Sequence, residues 1–418
     1  MADEYVRTPY GSLSARLKHA ALSELCLNDG GIQTGPFGSQ LHQRDYVPVG
    51  TPIITVEHLG ENQIIHRDLP RVSDEDRKRL ARYALKEGDI VFSRVGSVDR
   101  RAYVSKSEDG WLFSGRCLRV RTKPEVIDAR FLSYFFGLPS FKEYIRKIAV
   151  GATMPSLNTK LLGSVPLYFP PLPEQKSIAS ILGVLDNKIE QNRKMNETLE
   201  AMARAIFKSW FVDFDHIPSR GPNKEWQDSP LGKIPKGWRV RTIGDIIELA
   251  YGRALKEEIR QPGKIPVYGS NGQVGWHNEK LVEGPGVVVG RKGNPGIVTW
   301  VSTDFYPIDT TFYVVPKSII KSMHYLFHAL KLQGIASLGA DSAVPGLNRN
   351  MAYMKKMLVP SSDIVSAFDK QVKPLADKVK HNNDQSLTLA MIRDALLPKL
   401  LSGELDLRDT GKCLEVNI

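Results

Sequence analysis

The chain of 418 residues is too long for one ordinary hydrophobic core, so its length predicts two or three domains. Its 42% hydrophobic and 25% charged residues are typical of a soluble globular protein, and no apolar run approaches the roughly 20 residues that a membrane-spanning helix needs. Lysine and arginine number 57 against 46 acidic residues, and the resulting net charge of +11 favours a polyanionic partner.

The first part of the chain combines short strand-like runs with helical stretches. The strand-like runs TPIITV (51–56), GDIVFSRV (88–95) and CLRVRT (117–122) are bounded by glycines and other turn residues, as strands usually are. Residues 129–148 have a helical pattern. We therefore expect a first domain of mixed α and β structure.

A long helix is predicted next, because a seam of residues recurs at alternating steps of four and three. The seam residues are Ile178, Leu182, Leu185, Ile189, Asn192, Asn196, Leu199, Ala203, Ile206 and Trp210. A period of about 3.5 residues held over this length predicts a coiled coil. The alternative is a helix that packs only on its own domain.

The second half of the chain follows a segment, residues 215–238, that is rich in proline, glycine and charge and predicts an exposed linker. Strand-like runs then return at KIPVYGS (264–270), GVVVGRKG (286–293), GIVTWVS (296–302) and TTFYVVP (310–316), with a helical stretch at 318–334. A second seam consists of Phe368, Val372, Leu375, Val379, Asn382, Ser386, Leu389, Leu396 and Leu400. We expect Pro374 to kink or restart this second helix near its beginning.

The two halves are copies of one another. The matching segments are PSLN (155–158) with PGLN (345–348), Pro170 with Pro360, LDNKIEQN (185–192) with LADKVKHN (375–382), and IVFSRVGS (90–97) with VVVGRKGN (287–294). The first three pairs are offset by 190 positions and the last by 197, so the copies differ in loop length. This tandem duplication predicts two similar globular modules, each followed by a long helix, with internal pseudo-two-fold symmetry.

The chain carries no motif of a catalytic or metal centre. It has neither GxxxxGK[ST] nor a GxGxxG loop, and FPPLP at 169–173 lacks the polar first residue and closing aromatic of an adenine-methylating loop. His324 and His328 are spaced i, i+4 but lack an accompanying glutamate, which favours a helix surface over a metal site. Three scattered cysteines and the lack of an apolar signal segment predict a reducing, cytoplasmic location.

Several segments resemble those of a known family. They are TGPFGSQL (34–41), the stretch 169–214 that begins FPPLPEQ, LGKIPKGW (231–238), VYGSNGQVGW (267–276), VVVGRKGNPG (287–296) and LLPKLLSGELDL (396–407). Of these, PLPEQ before a heptad helix is the most specific. Over nearly its whole length the chain resembles the specificity subunit of a type I restriction–modification enzyme.

This resemblance implies an α/β (α+β) fold, with two target-recognition domains separated by two long helices that form an antiparallel coiled coil. The expected division is a first recognition domain (1–165), a first helix (166–214), a linker (215–237), a second recognition domain (238–357), a second helix (358–407) and a C-terminal tail (408–418). The resemblance also implies double-stranded DNA as the ligand, with a bipartite, asymmetric target. Two modification subunits would carry AdoMet, and restriction subunits would add ATP- and Mg-dependent cleavage, so we expect no cofactor in this chain.

Residues that contact DNA are expected in the glycine-rich loops, because Arg, Lys, Asn and Gln suit base edges and phosphates. The candidates in the first copy are Ser39, Gln40, Arg44, Arg94, Ser97, Arg100 and Arg101. The candidates in the second copy are Arg253, Lys256, Asn271, Gln273, Arg291, Lys292 and Asn294. For Arg94 and Arg291, pairing with a structural carboxylate is an alternative. The repeated segments at 155–170 and 345–360, called here the repeated phrase, are interpreted as architecture, with Asn158 capping a short turn.

Polar seam residues predict how the two long helices meet. Pairing positions whose numbers sum to 578 sets Asn196 opposite Asn382 and Asn192 opposite Ser386. In this register Arg393 fits poorly, and we expect it to extend its guanidinium to water. About 33 helical residues at 1.5 Å each would give a spacer of roughly 50 Å.

Two other functions remain open from the sequence. One is a fused methyltransferase or nuclease with unfamiliar motifs, and the missing signatures argue against it. The other is a stand-alone nucleic-acid-binding regulator that dimerises through its helices. Two seams within one chain favour pairing with each other over dimerisation.

Overall fold

The computed structural model of the protein describes residues 5–151, 153–215, 225–339, 346–402 and 404–405. The chain divides into two compact units: unit 1 comprises Met1–Ile189 and Leu387–Ile418, and unit 2 comprises Glu190–Ser386. The dividing points fall inside the two long helices, so each unit contains one module and part of each helix. Pro345, Cys413 and the predicted tail at 408–418 lie outside the described residues.

Unit 1 mixes short strands and helices. Its strands are Tyr5–Thr8, Gly11–Ser14, Lys18–Ala21, Ile32–Thr34, Tyr46–Ile54, Arg71–Val72, Ile90–Ser93, Arg101–Tyr103, Leu112–Phe113, Cys117–Val120 and Pro166–Phe169. Its α-helices outside the long pair are Leu22–Leu25, Asp74–Arg79, Ala129–Phe135, Pro139–Ile148 and Thr159–Gly163. Short 3-10 turns occur at Gly38–Gln40, Gln43–Asp45, Val56–His58, Ala81–Tyr83 and Lys106–Glu108.

Unit 2 contains a similar set of strands but fewer short helices. Its strands are Trp226–Ser229, Gly232–Pro235, Arg239–Thr242, Ile247–Tyr251, Ile265–Gly269, Gly272–His277, Gly286–Gly290, Val298–Val301, Tyr306–Pro307, Thr311–Pro316 and Lys356–Val359. Its α-helices outside the long pair are Ile243–Ile246, Met323–Leu332 and Arg349–Met354, with 3-10 turns at Glu257–Ile259 and Ile335–Gly339.

Each unit is built on a four-stranded antiparallel sheet, here called its central sheet. In unit 1 the order is Ile32–Thr34, Cys117–Val120, Ile90–Ser93 and Arg101–Tyr103, and in unit 2 it is Ile247–Tyr251, Thr311–Pro316, Gly286–Gly290 and Val298–Val301. All residues of the Ile90–Ser93 and Gly286–Gly290 strands are buried, as expected for apolar runs that are covered on both faces. The sequence repeat therefore corresponds to two central sheets with the same strand order and strand directions.

A second, three-stranded sheet and a two-stranded sheet also occur in both units. Each three-stranded sheet pairs its middle strand antiparallel on one side and parallel on the other. In each unit, one two-stranded sheet pairs a strand early in the module with the strand just before the long helix, namely Lys18–Ala21 with Pro166–Phe169 and Arg239–Thr242 with Lys356–Val359. In each module, an early strand and the last strand therefore lie side by side.

The cores of the units explain why these elements assemble. In unit 1, a buried aromatic group that includes Phe131, Phe135 and Phe141 lies in the same apolar cluster as Leu182 and Leu400 of the long helices. In unit 2 the corresponding cluster joins the central sheet to both helices, with Phe207, Trp210 and Phe368 in contact through their rings. Burying these apolar surfaces is the main favourable term for each unit.

The long helices are Leu172–Phe211 and Ser362–Ser402. The second is one continuous element, so the prediction that Pro374 restarts it is wrong. The missing N–H of Pro374 costs one backbone hydrogen bond, and packing of the neighbouring seam residues Phe368 and Val372 in the unit 2 core favours the helix.

The predicted linker at 215–237 is partly folded. Residues Trp226–Ser229 and Gly232–Pro235 form a β-hairpin, and Ile234 within it is 2% exposed. The structure differs from the expectation because Ile234 and the following Trp238 both belong to the apolar cluster of unit 2 and anchor the hairpin there. The equivalent hairpin of unit 1 joins Tyr5–Thr8 to Gly11–Ser14.

Candidate DNA interface and helix pair

In both units, an arginine comes directly after an inner strand of the central sheet. Arg94 follows the strand that ends at Ser93, and Arg291 follows the strand that ends at Gly290. Two residues further on, Gly96 and Gly293 have φ angles of 78° and 81°, a left-handed conformation that glycine adopts without steric cost. The Arg-x-Gly repeat thus forms the same turn in both units.

Backbone carbonyl groups hold both arginine side chains. Nη1 of Arg94 donates to the carbonyl oxygen of Gly115 at 2.9 Å, and Nε of Arg291 donates to that of Asp309 at 2.9 Å. Neither contact is the pairing with a structural carboxylate that the sequence left open. A carbonyl group carries no net charge, so the contact orients each guanidinium without neutralising it.

The repeated phrase attaches to these turns. The backbone N–H of Leu157 donates to the carbonyl oxygen of Arg94 at 2.9 Å, and that of Leu347 donates to the carbonyl oxygen of Arg291 at 2.8 Å. Both leucine side chains are buried. The phrase therefore fixes the arginine turn to the segment that leads into the long helix.

The asparagine of the phrase caps a short helix in both units. The Asn158 side chain accepts from the N–H of Leu161 at 2.8 Å, and the Asn348 side chain accepts from that of Met351 at 3.2 Å. The predicted cap at Asn158 is confirmed. The repeated phrase occurs twice in the sequence because each unit has the same junction between its module and the long helix.

The other candidate residues of unit 1 have mixed environments. Gln40 accepts a hydrogen bond from the Tyr83 hydroxyl at 2.7 Å, and Arg100 donates to the carbonyl oxygen of Leu59. The Arg44 side chain is 83% exposed, with Nε 3.9 Å from Oδ1 of Asp45, and Ser97 is also exposed. The side chain of Ser39 lies outside the described residues.

Arg101 is buried in the protein. Its side chain is 3% exposed, and it donates to the carbonyl oxygen of Ser133 at 3.0 Å and to Oε1 of Glu61 at 2.7 Å. Burial raises the pKa of Glu61, but the charges of Arg101 and Lys142 outweigh it and hold that pKa below its ordinary value. An arginine this buried does not offer its charge to a surface ligand, so we leave it out of the proposed interface.

The candidate residues of unit 2 are mostly exposed. Arg253, Lys256 and Lys292 extend from loops, and the exposed Gln273 side chain donates to the carbonyl oxygen of Gly275 at 3.4 Å. The structure brings Asn271 and Asn294 together, with the Asn294 amide donating to the Asn271 side-chain oxygen. Two loops that are 23 positions apart in sequence are thereby joined beside Arg291.

Sequence reasoning missed Tyr251 and Arg349 in unit 2 and Arg116 in unit 1. Tyr251 and Arg349 line a cavity of about 170 Å³ together with Arg291 and Lys292. Arg116 lines a cavity of about 710 Å³ beside Arg94. Arg349 directly follows Asn348 and lies in the repeated phrase, which the sequence analysis interpreted as architecture. In the sequence, the only sign of another role is that Arg349 stands where the first copy has Thr159.

In unit 2, a layer of polar residues joins the two long helices. Asn192 is 2% exposed and Asn382 is 1% exposed. The Asn382 amide donates to Oδ1 of Asn196 at 2.9 Å, and the Asn192 amide reaches Oγ of Ser386 at 3.2 Å and Oε1 of Gln385 at 2.9 Å. These are the residues that the sum of 578 sets opposite each other, and here the helices run antiparallel.

In unit 1, an ion pair joins the helices. Nη1 of Arg393 lies 2.8 Å from Oδ1 of Asp186, whose other oxygen accepts from the Tyr134 hydroxyl at 2.6 Å. Burial lowers the pKa of Arg393, but its bonds to Asp186 outweigh that effect and raise it above the ordinary value. The side chain is 15% exposed, so the prediction that Arg393 extends to water is wrong. A carboxylate one residue from the seam provides a better partner than solvent.

A metal centre is missing from the part of the chain that the structure describes. It contains no group of three or more His, Cys, Asp and Glu that could hold a metal ion. His328 packs against Phe207, and burial lowers its pKa to about 4, while His324 stacks on Trp300 at 4.5 Å. Burial raises the pKa of the free thiols of Cys26 and Cys117 to about 12.

Among the described helices, none combines the length and apolar composition needed to cross a bilayer.

Comparison with known proteins gives one consistent result. The family described as type I restriction modification DNA specificity domain matches residues 38–201 and 235–364. The chain is 30% identical to the specificity subunit of the type I restriction enzyme MjaIX of Methanocaldococcus jannaschii, over 87% of this chain and 88% of that one. It is 23% identical to the HindI specificity subunit of Haemophilus influenzae, over 82% and 92% of the two chains.

A solved structure shares the fold. The type I restriction–modification S subunit from M. genitalium aligns with a TM-score of 0.57 at 19% identity, covering 94% of this chain and 99% of that chain. Mixed α and β modules with long helices, predicted from the sequence, are therefore confirmed.

Proposed function

This chain belongs to the family of type I restriction–modification DNA specificity subunits, and from that premise we propose how its two units divide the work. The chain is a non-catalytic targeting subunit that directs methylation and cleavage to a specific DNA sequence. Each unit reads one half of a bipartite, asymmetric target. Loop side chains that differ between the units determine which bases each unit recognises.

One observation carries this proposal: the same scaffold presents different side chains. The central sheets have the same strand order, and their arginine turns have the same conformation. Around the turns, however, Ser97 of unit 1 corresponds to Asn294 of unit 2 in the repeat. Arg116 corresponds to Thr310, since the backbone carbonyl group of each accepts from the N–H of the turn arginine. A constant frame with variable contact residues is what two readers of different bases require.

The proposed interface consists of exposed or half-buried polar side chains of the two modules. In unit 1 it comprises Gln40, Arg44, Arg94, Ser97 and Arg100, and in unit 2 it comprises Arg253, Lys256, Asn271, Gln273, Arg291, Lys292 and Asn294. The cations neutralise phosphates and so supply affinity, while amide and guanidinium groups can donate to base edges.

We also propose that the long helices bind the partner subunits. In unit 1 the exposed helix residues include Val184, Leu387 and Met391, with exposed fractions of 59%, 50% and 57%. In unit 2, Met195 and Met202 are 45% and 48% exposed. Leu387 and Met391 are four positions apart and Met195 and Met202 seven, so each pair shares one helix face. Apolar side chains grouped on an exposed helix face are typical of protein interfaces. Two modification subunits would occupy them and bring AdoMet, and restriction subunits would bring ATP and Mg.

Exchange of one module tests the proposal. Residues 238–357 would be replaced by the corresponding module of another family member, and the chimera would be produced with its modification subunits. We expect methylation mapping to show that one half of the target changes while the other half is kept. A change in both halves would contradict the assignment of one half to each unit. Full specificity without any partner would instead favour a stand-alone DNA-binding protein.

A further inference from the structure

In unit 2, three cations surround one small cavity. Arg291, Lys292 and Arg349 line it together with Tyr251 and Phe312, and the cavity has a volume of about 170 Å³. No carboxylate forms an ion pair with these three cations in the described residues, although Asp309 contributes its backbone carbonyl oxygen to Arg291. Cations concentrated without a counter-charge repel one another, and a bound anion removes that cost.

Tyr251 holds the two arginines in place. The guanidinium carbon of Arg349 lies 4.9 Å from the centre of the Tyr251 ring, and that of Arg291 lies 5.5 Å from it. The ring in turn packs on Phe312 at 5.0 Å. Contacts with an aromatic face orient a guanidinium but leave its charge and most of its N–H donors available. The two arginines are therefore fixed before any ligand binds.

The strand registers identify the equivalent positions in unit 1. Tyr251 pairs with Phe312, which pairs with Val289, and Thr34 pairs with Leu118, which pairs with Phe92. Thr34 therefore takes the place of Tyr251.

The repeat supplies the other two equivalents. Val95 follows Arg94 as Lys292 follows Arg291, and Thr159 follows its capping asparagine as Arg349 does. At these three positions unit 2 has an aromatic ring and two cations where unit 1 has two threonines and a valine. This difference cannot be a requirement of the shared fold.

We propose that Arg291, Lys292 and Arg349 form a clamp for one phosphate of the DNA backbone, and that this clamp belongs to unit 2 alone. The inference rests on the proposed function of the chain. A phosphate fits better than a base edge because the free groups around the cavity are cationic donors, whereas the carbonyl oxygens of Asp309 and Leu249 already accept from the two arginines. The clamp contributes affinity and fixes the position of unit 2 on the duplex, without reading a base.

The test uses the full chain in complex with its modification subunits. Lys292→Val and Arg349→Thr are combined, so that the cavity carries the residues found in unit 1. Two labelled duplexes are used, one that contains the target sequence identified by methylation mapping and one that lacks it. Binding to each is measured by fluorescence anisotropy at salt concentrations from low to moderate. Lys233→Ala, which removes an exposed lysine of the same unit outside the cavity, is the matched control.

We expect the double variant to lose one phosphate contact. The slope of log K against log salt should become shallower by about 0.9, which corresponds to roughly eightfold weaker binding at about 0.1 M salt. Both duplexes should be affected by the same factor, and Arg349→Lys should retain most of the slope because it keeps the charge. The control should leave the slope unchanged, and an unchanged tryptophan spectrum would show that the variants are folded.

Three results would overturn the clamp. The first is an unchanged slope in the double variant. The second is weaker binding to the target duplex alone, which would identify a base-reading site. The third is an equal loss in Lys233→Ala, which would reduce the effect to general charge. If the wild-type complex bound neither duplex, the proposed function itself would fail, so the two failures are distinguishable.

Discussion

The buried polar layer of unit 2 offers a direct test of what sets the register of the helices. The Asn192 side chain has two amide protons and three oxygen atoms within reach: the Asn382 carbonyl at 3.3 Å, Gln385 Oε1 at 2.9 Å and Ser386 Oγ at 3.2 Å. Two hydrogen bonds can therefore form at one time. We consider the perturbations Asn192→Leu, Ser386→Leu and their combination.

The expected cost of Asn192→Leu follows from these contacts. Losing two hydrogen bonds of about 0.5–1.5 kcal/mol each gives about 1–3 kcal/mol. Gln385 is half-buried and can turn to water, and Ser386 already donates to the Asn382 carbonyl, so the lower half of this range applies. In the double variant two leucines face each other across the seam, and the unfolding free energy should return to the wild-type value or exceed it.

Tryptophan fluorescence during urea unfolding measures this effect in the correct unit. Five of the six tryptophans lie in unit 2, and only Trp111 lies in unit 1. We expect a coupling free energy of at least about 1 kcal/mol between positions 192 and 386. The reasoning is refuted if Asn192→Leu leaves the fluorescence midpoint unchanged, or if the two single effects simply add.

Two further predictions concern helix register and acid stability. Cysteines introduced at Asn196 and Asn382 should cross-link under mild oxidation, whereas the pair at Asn196 and Leu375 should not; the opposite pattern on a non-reducing gel would exclude this register. Because the pKa of Glu61 is lowered beside Arg101, its stabilising effect is present above the ordinary value of 4.5 and is lost as the pH falls through the lowered value. Wild type should therefore lose more stability between pH 7 and 3.5 than Glu61→Gln, as followed by circular dichroism in urea, and equal losses would contradict the role of this pair.

The helices and their pairing could be predicted because the signal is local and periodic. Alternating steps of four and three identify a seam, and an asparagine in a seam must find a polar partner, which limits the possible registers. Arg393 shows where this reasoning fails. Its partner, Asp186, lies beside the seam rather than on it, so a list of seam residues did not include it. Contacts at the flanks of a helix pair depend on the surrounding module.

The DNA interface was only partly predictable, for a related reason. The arginine turns were found because the sequence repeats them, but burial could not be read from the loop sequence. Arg101 looked like a loop cation and lies on a strand, at the position where unit 2 has Val298. Tyr251 and Arg349 are 98 positions apart in sequence, and only the fold brings them to one cavity. The excess of lysine and arginine predicts that some of them bind DNA, but it does not predict which of them line the same cavity.

The paired strands at the base of each module have a genetic consequence. Lys18–Ala21 pairs with Pro166–Phe169, and Arg239–Thr242 pairs with Lys356–Val359, so the chain enters and leaves each module one strand apart, about 5 Å. A DNA segment that encodes everything between two such strands can be exchanged between genes by two crossovers, and the new module will meet the same two attachment points. If each module reads one half of the target, as proposed, recombination of a whole module would change the inherited target specificity in a single step.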